Sequence, residues 1–464
     1  MAPLPASTSL SLASLRAAVD GRVIAPGDAD YDAARAVSVG GFDCRPAAIV
    51  RVAGAGDVAR VIEVARETGL ELAVRSGGHS GAGHGTTDGG IVLDLRDMKG
   101  LDVDVEARTA WAEAGLTAGE MTTALHAHGL AVGFGDTASV GIGGITTGGG
   151  IGYLVRKHGL TIDSLLAADV VTADGELVRA DAHAHPDLFW ALRGGGGNFG
   201  VATRFLFRLH EVGTITGGML ILPATAETIA GFVAAAEPAP DELSTIANVM
   251  PAPPMPFLAP EHHGQLVVMG LLAHVGDLVD GEAAMAPFRA LATPLADMVR
   301  PMGYPELYPP EDPDYHPLAV VKTLFSDRIG RHEAAAMVAR LEASDAPMRV
   351  VQLRVLGGAM ARVPVDATAF AHRASRVMVM VAAFHDGTPD DLARRRAWVD
   401  ELAGVLRQGD HGAYVNFLGE EGPARVRDAY PGATWDRLVA VKRRYDPTNL
   451  FRLNQNVPPD GAEA

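Results

Sequence analysis

The sequence predicts an α+β protein built in two parts. Three observations carry that expectation. Residues 47–74 run strand, helix, strand, the order of a small α/β unit. From about residue 211 the character changes to strand-like alternation interleaved with helical stretches, the pattern of an antiparallel sheet backed by helices. The 464 residues are enough for two substantial cores.

The elements follow in order. Residues 9–19 predict a short lead-in helix, and 22–35 an extended piece, a turn and a second short helix. Residues 47–53 form a strand. In 55–68, Val58, Val61, Ile62 and Ala65 recur at helical spacing, and Gly69 closes the helix. Residues 72–74 and 91–95 are strands, 101–116 two more, and 117–128 a helix stopped by Gly129. A strand at 167–172 turns on A-D-G-E, whose D-G pair signals a hairpin. A short helix at 187–193 precedes a strand at 201–209. Beyond that lie helices at 224–237, 277–291, 331–344 and 390–406. Strands alternate with them at 243–250, 265–274, 349–356 and 376–383, with proline-rich breaks at 251–260 and 304–317. A last helix spans 435–443.

Composition excludes several functions. A net charge of −17, with acids and bases intermixed, argues against a nucleic-acid partner, whose phosphates demand a basic face. No window approaches eighteen uninterrupted apolar residues, so no membrane span is expected. The first eighteen residues lack a basic residue ahead of Arg16, unlike a signal peptide, and the protein is read as cytoplasmic. The single cysteine, Cys44, rules out an intramolecular disulfide. There is no G-x-S-x-G elbow and no H-E-x-x-H, and the close histidine pairs (126/128, 183/185, 262/263) lack a third metal ligand.

Chemistry concentrates between residues 74 and 98, where Arg75-Ser76-Gly77-Gly78-His79-Ser80 follows a strand. Two glycines let successive backbone N–H groups turn inward on an oxyanion, and Arg75 and the serines add charge and hydroxyl donors. The loop alone is equally a glycine-rich connection that presents a histidine. A second rich stretch, 133–153, holds too many glycines for a stable helix or strand interior and fits where something flat and large takes the place of side chains. Gly195, Gly197 and Gly200 match G-x-G-x-x-G, but a helix precedes them and a strand follows. That is the reverse of a dinucleotide-binding Rossmann turn, so this reading fails.

R-S-G-G-H-S followed by D-G-G-I-V-L-D-L resembles the FAD-binding domain of the vanillyl-alcohol-oxidase/PCMH superfamily, and most nearly its berberine-bridge-enzyme-like branch. The resemblance implies a PCMH-type FAD-binding domain of two α/β subdomains, made from residues 1–209 and 412–464. A substrate domain, 210–411, would be inserted between them. It implies that His79 bonds covalently to the flavin and that Arg75, Ser76, Gly77, Gly78 and Ser80 hold the pyrophosphate. Gly141, Gly144, Gly148 and Gly149 would run beside ring and pyrophosphate, Val201 near the adenine, and Asn454 at the polar edge of the ring. Many relatives add a second link through a cysteine; here Thr137 takes that place, so FAD is expected on His79 alone. Val140 matches the family's oxygen gate, where valine resembles the oxidases.

The resemblance also has gaps. A tyrosine that serves plant relatives as base is Phe417 here, which is left to line the substrate pocket. The strand at 376–383 lacks the carboxylate some relatives carry. The base is thus open, with Tyr414, His385 and Glu420 as candidates. The implied function is an FAD-dependent oxidase of a small organic substrate, an amine or alcohol, with O2 as acceptor and H2O2 as product. A dehydrogenase using another acceptor, and a flavin-binding protein with degenerate catalysis, stand as alternatives.

Overall fold

The computed structural model describes residues 10–312 and 314–461. The first helix spans Leu12–Ala18, capped by the Ser11 hydroxyl accepting the Ser14 N–H; residue 9 of the expected helix lies outside the described residues. A four-stranded sheet follows, ordered Arg22–Ile24, Ala48–Arg51, Ile91–Asp94, Leu72–Arg75. Its last three strands are parallel, because the helix Ala55–Thr68 carries the chain back across one face. That helix buries Val58, Val61, Ile62 and Ala65 and ends at Gly69 with φ +69°. Buried Asp57 pins its start by accepting the N–H groups of Asp20, Gly21 and Ala53.

A five-stranded antiparallel sheet comes next, ordered Leu101–Asp104, Thr109–Glu113, Val201–Arg208, Leu165–Val171, Leu177–Asp181. The helix Ala118–His126 has a reciprocal cap, Thr117 with Glu120. From Thr214 to Phe384 the chain builds one eight-stranded antiparallel sheet. One face carries Val351, Leu353, Val355, Val377, Val379 and Val381 into a core with Phe232, Met337 and Leu402 of the covering helices. The opposite face turns Met378 and Phe325 toward Ile151, Phe370 and Tyr414. After residue 412 the chain returns, and Val415, Leu418, Leu438, Phe451 and Val457 pack in the same core as the two smaller sheets.

Among the elements not expected are three strands and a helix: Thr214–Pro223, Arg300–Gly303, Ala319–Ser326 and Pro423–Ala429. Gly217 and Gly218 interrupt the first, and the main chain near Met298 packs where a Cβ of Gly218 would stand. In the third, Lys322 points to the helix-covered face, where its ammonium pairs with Asp400 instead of an apolar neighbour. A second correction concerns 133–153, which is not loop throughout, since Ile142–Gly148 is an α-helix. Its glycines are tolerated because partners fill the space: the Asn416 side chain lies where a Gly148 Cβ would be, and Ser76 beside Gly143.

His158 and His210 stack with centroids 4.0 Å apart. Burial first, and then nearby positive charge (His210 and Lys157 for His158, Arg208 and Lys157 for His210), holds them down at about 3 and about 4. Between roughly pH 4 and 6.5 the unfolded chain binds protons at both positions and the folded chain does not, so stability falls as pH falls. The slope is up to about 1.4 kcal/mol per pH unit for each ring. Urea unfolding at pH 7 and pH 5 should show that loss, and His210→Asn should remove one of the two contributions.

Candidate active site

A cavity of about 390 Å³ opens among the two smaller sheets, the stretch 135–151 and the returning C-terminal segment. The strand Leu72–Arg75 delivers the loop Ser76–Ser80 to its wall. Gly77 and Gly141 approach so closely that a Cβ on either would collide with the other's backbone. Gly78, at φ +76°, turns the loop, whose carbonyls at Gly77 and Gly78 face outward to the Ser38 hydroxyl and N–H. The N–H groups of Gly77, Gly78, His79 and Ser80 have no acceptor among the described residues. Consecutive unpartnered N–H groups beside a cavity form an anion nest.

The arginine is not part of that nest. Arg75 is 1% exposed, and its Nη2 donates to Asp94 Oδ2 at 2.8 Å and to Ala34 O at 2.6 Å. Burial alone would raise the Asp94 carboxyl, and Arg75 and Arg96 together bring it below its ordinary value. The expectation that Arg75 lends its charge to an oxyanion is therefore corrected: that charge is neutralised behind the wall. The Ser76 hydroxyl likewise donates to Ala114 O at 2.6 Å and accepts the Gly143 N–H. Both residues line the cavity, but the nest beside them is made by main chain.

His79 stands in the wall with Nε2 2.9 Å from the Ser139 hydroxyl, which also bonds the Glu311 carboxylate. Burial lowers its pKa, against the pull of Glu311, so the ring is neutral near pH 7. Its Nδ1 has no hydrogen-bond partner among the described residues. A neutral imidazole with one free nitrogen is a competent nucleophile.

Thr137, Val140, Gly141, Gly144, Val201, Phe417 and Asn454 also line the cavity. Gly148 and Gly149 are not among the lining residues. Gly148 gives room to Asn416, and Gly149, at φ +134°, faces Phe370 and Tyr414. Among the base candidates, His385 and Glu420 do not reach the cavity. His385 Nδ1 accepts the Gly387 N–H at a strand end, and Glu420 is exposed. Tyr414 does line it, yet its hydroxyl oxygen already accepts the Gly150 N–H at 2.9 Å and Asn416 Nδ2 at 3.0 Å. Burial raises its pKa, so the phenol keeps its own proton near pH 7 and is not available to take another.

Sequence reasoning missed His84, Asp136, Asn198 and Tyr430, all in the cavity wall. Burial holds His84 at about 4. Tyr430 Oη and Asn454 Oδ1 are buried without any partner among the described residues. Buried polar atoms are rarely left unsatisfied, so both fit a polar molecule filling this space. Nothing would meet a Cβ built on Gly144 within 4 Å, so its helix presents a bare patch of backbone to the cavity. A nest for a phosphate, a flat glycine wall, an amide at one edge and a free histidine nitrogen match the donor set a dinucleotide with a fused ring requires.

Comparison with known proteins agrees with that geometry. An FAD binding domain model matches residues 46–181, and a "berberine and berberine like" model matches residues 413–458. The fold and site thus define an FAD-linked oxidoreductase. (R)-6-hydroxynicotine oxidase of Paenarthrobacter nicotinovorans is 30% identical, covering 96% of this chain and 98% of its own. Xylooligosaccharide oxidase of Thermothelomyces thermophilus is 30% identical over 89% of this chain and 87% of that one. Among solved structures, 6-hydroxy-D-nicotine oxidase from Arthrobacter nicotinovorans superposes with a TM-score of 0.85 at 28% identity, covering 95% of this chain and 98% of that one. The chain belongs to the berberine-bridge-enzyme-like family of FAD-linked oxidases.

Proposed function

We propose that this protein oxidises a small organic substrate with FAD held by one covalent bond to His79, and that O2 reoxidises the flavin to give H2O2. The observation that carries the reading is His79 itself. It is neutral, fixed through Nε2 to Ser139, and presents an unpartnered Nδ1 in the wall of the cavity. FAD, when bound, supplies the two-electron acceptor, and the protein orients it and tunes it. The N–H groups of Gly77–Ser80 would hold the pyrophosphate, Asn454 would meet the polar ring edge, and Tyr430 would close the far side. Thr137 offers no thiol for a second attachment. Residues 1–209 with 412–464 would form the FAD-binding domain and 210–411 the substrate domain. No described helix is long and apolar enough to cross a membrane. A cytoplasmic location is part of the proposal.

The test is intact mass. Denatured protein should weigh one FAD more than the polypeptide; flavin released in full by acid precipitation contradicts the covalent claim and leaves the fold untouched. Val140 would stand at the reactive part of the ring and leave room for O2. Val140→Leu adds one methylene, which packed sites often tolerate at modest cost. It should slow reoxidation of photoreduced enzyme by O2 about tenfold or more, a barrier change of roughly 1.4 kcal/mol, while bound FAD is retained. Unchanged reoxidation with lowered thermal stability would make Val140 a packing residue.

A further inference from the structure

Asp136 is the only carboxylate among the described residues that line the cavity. Its Oδ2 accepts from Arg354 Nη2 at 2.8 Å, and its Oδ1 has no partner among the described residues. Arg354 is buried, its side chain 4% exposed, and it is fixed on every side. Its Nε donates to Gln352 Oε1 at 2.9 Å, and its Nη1 to Ile151 O at 3.1 Å. Its guanidinium carbon lies 5.3 Å from the Phe417 ring centroid. Gln352 is held in turn by Asn248 Oδ1 at 2.9 Å. Asp136, Ile151 and Phe417 therefore gather around one guanidinium, and all three face the cavity. A chain of side chains from the large sheet thus holds one oxygen of Asp136 and leaves the other without a partner among the described residues, with Phe417 on the same guanidinium.

We infer that Asp136 is the catalytic base of this enzyme, taking the proton from a substrate hydroxyl, and that the substrate is accordingly a neutral alcohol or hemiacetal and not an ammonium compound. The inference rests on the oxidase reading above. A cation would need an unbalanced carboxylate, whereas Asp136 is paired with Arg354 and no other acid among the described residues lines the wall. A hydroxyl group needs an acceptor with one free oxygen, held in place, and that is what Asp136 offers. The O–H proton passes to Asp136 as the carbon gives up its hydrogen with two electrons to the bound flavin, leaving a carbonyl product. Asp136 then returns its proton to solvent, and O2 later takes the two electrons with two protons, one of them the hydrogen passed from the substrate carbon and the other from solvent, as H2O2. Arg354 is a positioning residue, with Gln352 behind it.

The test is anaerobic stopped-flow reduction of the holoenzyme. One panel of hydroxyl donors is led by xylobiose and benzyl alcohol, and a matched panel of amines by N-methylbenzylamine. At least one hydroxyl donor should bleach the flavin, and Asp136→Asn, which keeps an oxygen for Arg354, should slow that reduction about 100-fold or more. Asp136→Ala should recover part of the rate when formate is added, a rescue that a purely structural role would not give. Bound FAD and the O2 reoxidation rate of both photoreduced variants should equal wild type, which separates chemistry from misfolding. Reduction of Asp136→Asn at the wild-type rate, bleaching by amines alone, or no bleaching by any hydroxyl donor overturns the proposal. Those outcomes leave the oxidase reading standing, whereas failure of photoreduced wild type to react with O2 strikes that reading instead.

Discussion

His79→Ala is expected to bind FAD and release all of it on denaturation, while wild type keeps one flavin per chain through the same treatment. The contrast is all or none, because only one bond is at stake. The nest at Gly77–Ser80 is backbone, and replacing the side chain beside it leaves those N–H groups in place. The orphaned oxygens of Tyr430 and Asn454 also remain. The variant should therefore be yellow as purified and colourless after acid precipitation, and mass spectrometry of the denatured chain checks it directly. Retention of covalent flavin in the variant would move the attachment elsewhere, and His84 is then the next imidazole in the wall.

Lys442→Met should cost the protein about 3–5 kcal/mol of stability, the range for removing one partner of a buried ion pair. Lys442 and Asp446 are both wholly buried, 2.7 Å apart. The ammonium also donates to Asn198 O and Phe451 O, each at 2.8 Å. Asp446 accepts the N–H groups of Leu450 and Phe451. This one pair thus fastens the returning C-terminal segment to the loop that carries Asn198, and both Asn198 and Phe451 line the cavity. Methionine keeps the length of the chain but strands the carboxylate. The double variant Lys442→Met, Asp446→Asn should regain part of the loss, since no uncompensated charge remains. Urea unfolding of the three proteins measures this, and equal stability of single and double variants would contradict it.

Periodicity made the helix Ala55–Thr68 legible to its last residue, because its apolar face and its terminal glycine are both local signals. The α+β class was legible for the same reason. Thr214–Pro223 was not, because its glycines serve the close approach of a neighbouring strand that no local pattern reveals. At the site, the loop 75–80 announced itself through its glycines and its lone histidine. What the sequence could not show was direction. Arg75 carries the right charge and turns it away from the cavity toward Asp94. Gly148 and Gly149 lie in the right stretch but are filled by Asn416, Phe370 and Tyr414. Asp136 sits one residue from Thr137, yet its meaning depends on Arg354, 218 positions away. Ion pairs that join distant elements leave no spacing to read, which is why the base candidates drawn from sequence were Tyr414, His385 and Glu420.

The most direct test of the central claim is to photoreduce the purified holoenzyme without air, mix it with buffered O2, and follow flavin absorbance and peroxide together. An oxidase should return to the oxidised spectrum and release one H2O2 per flavin with no substrate or dye present. Flavin that stays reduced in O2 and is reoxidised only by an added electron-accepting dye would contradict the account.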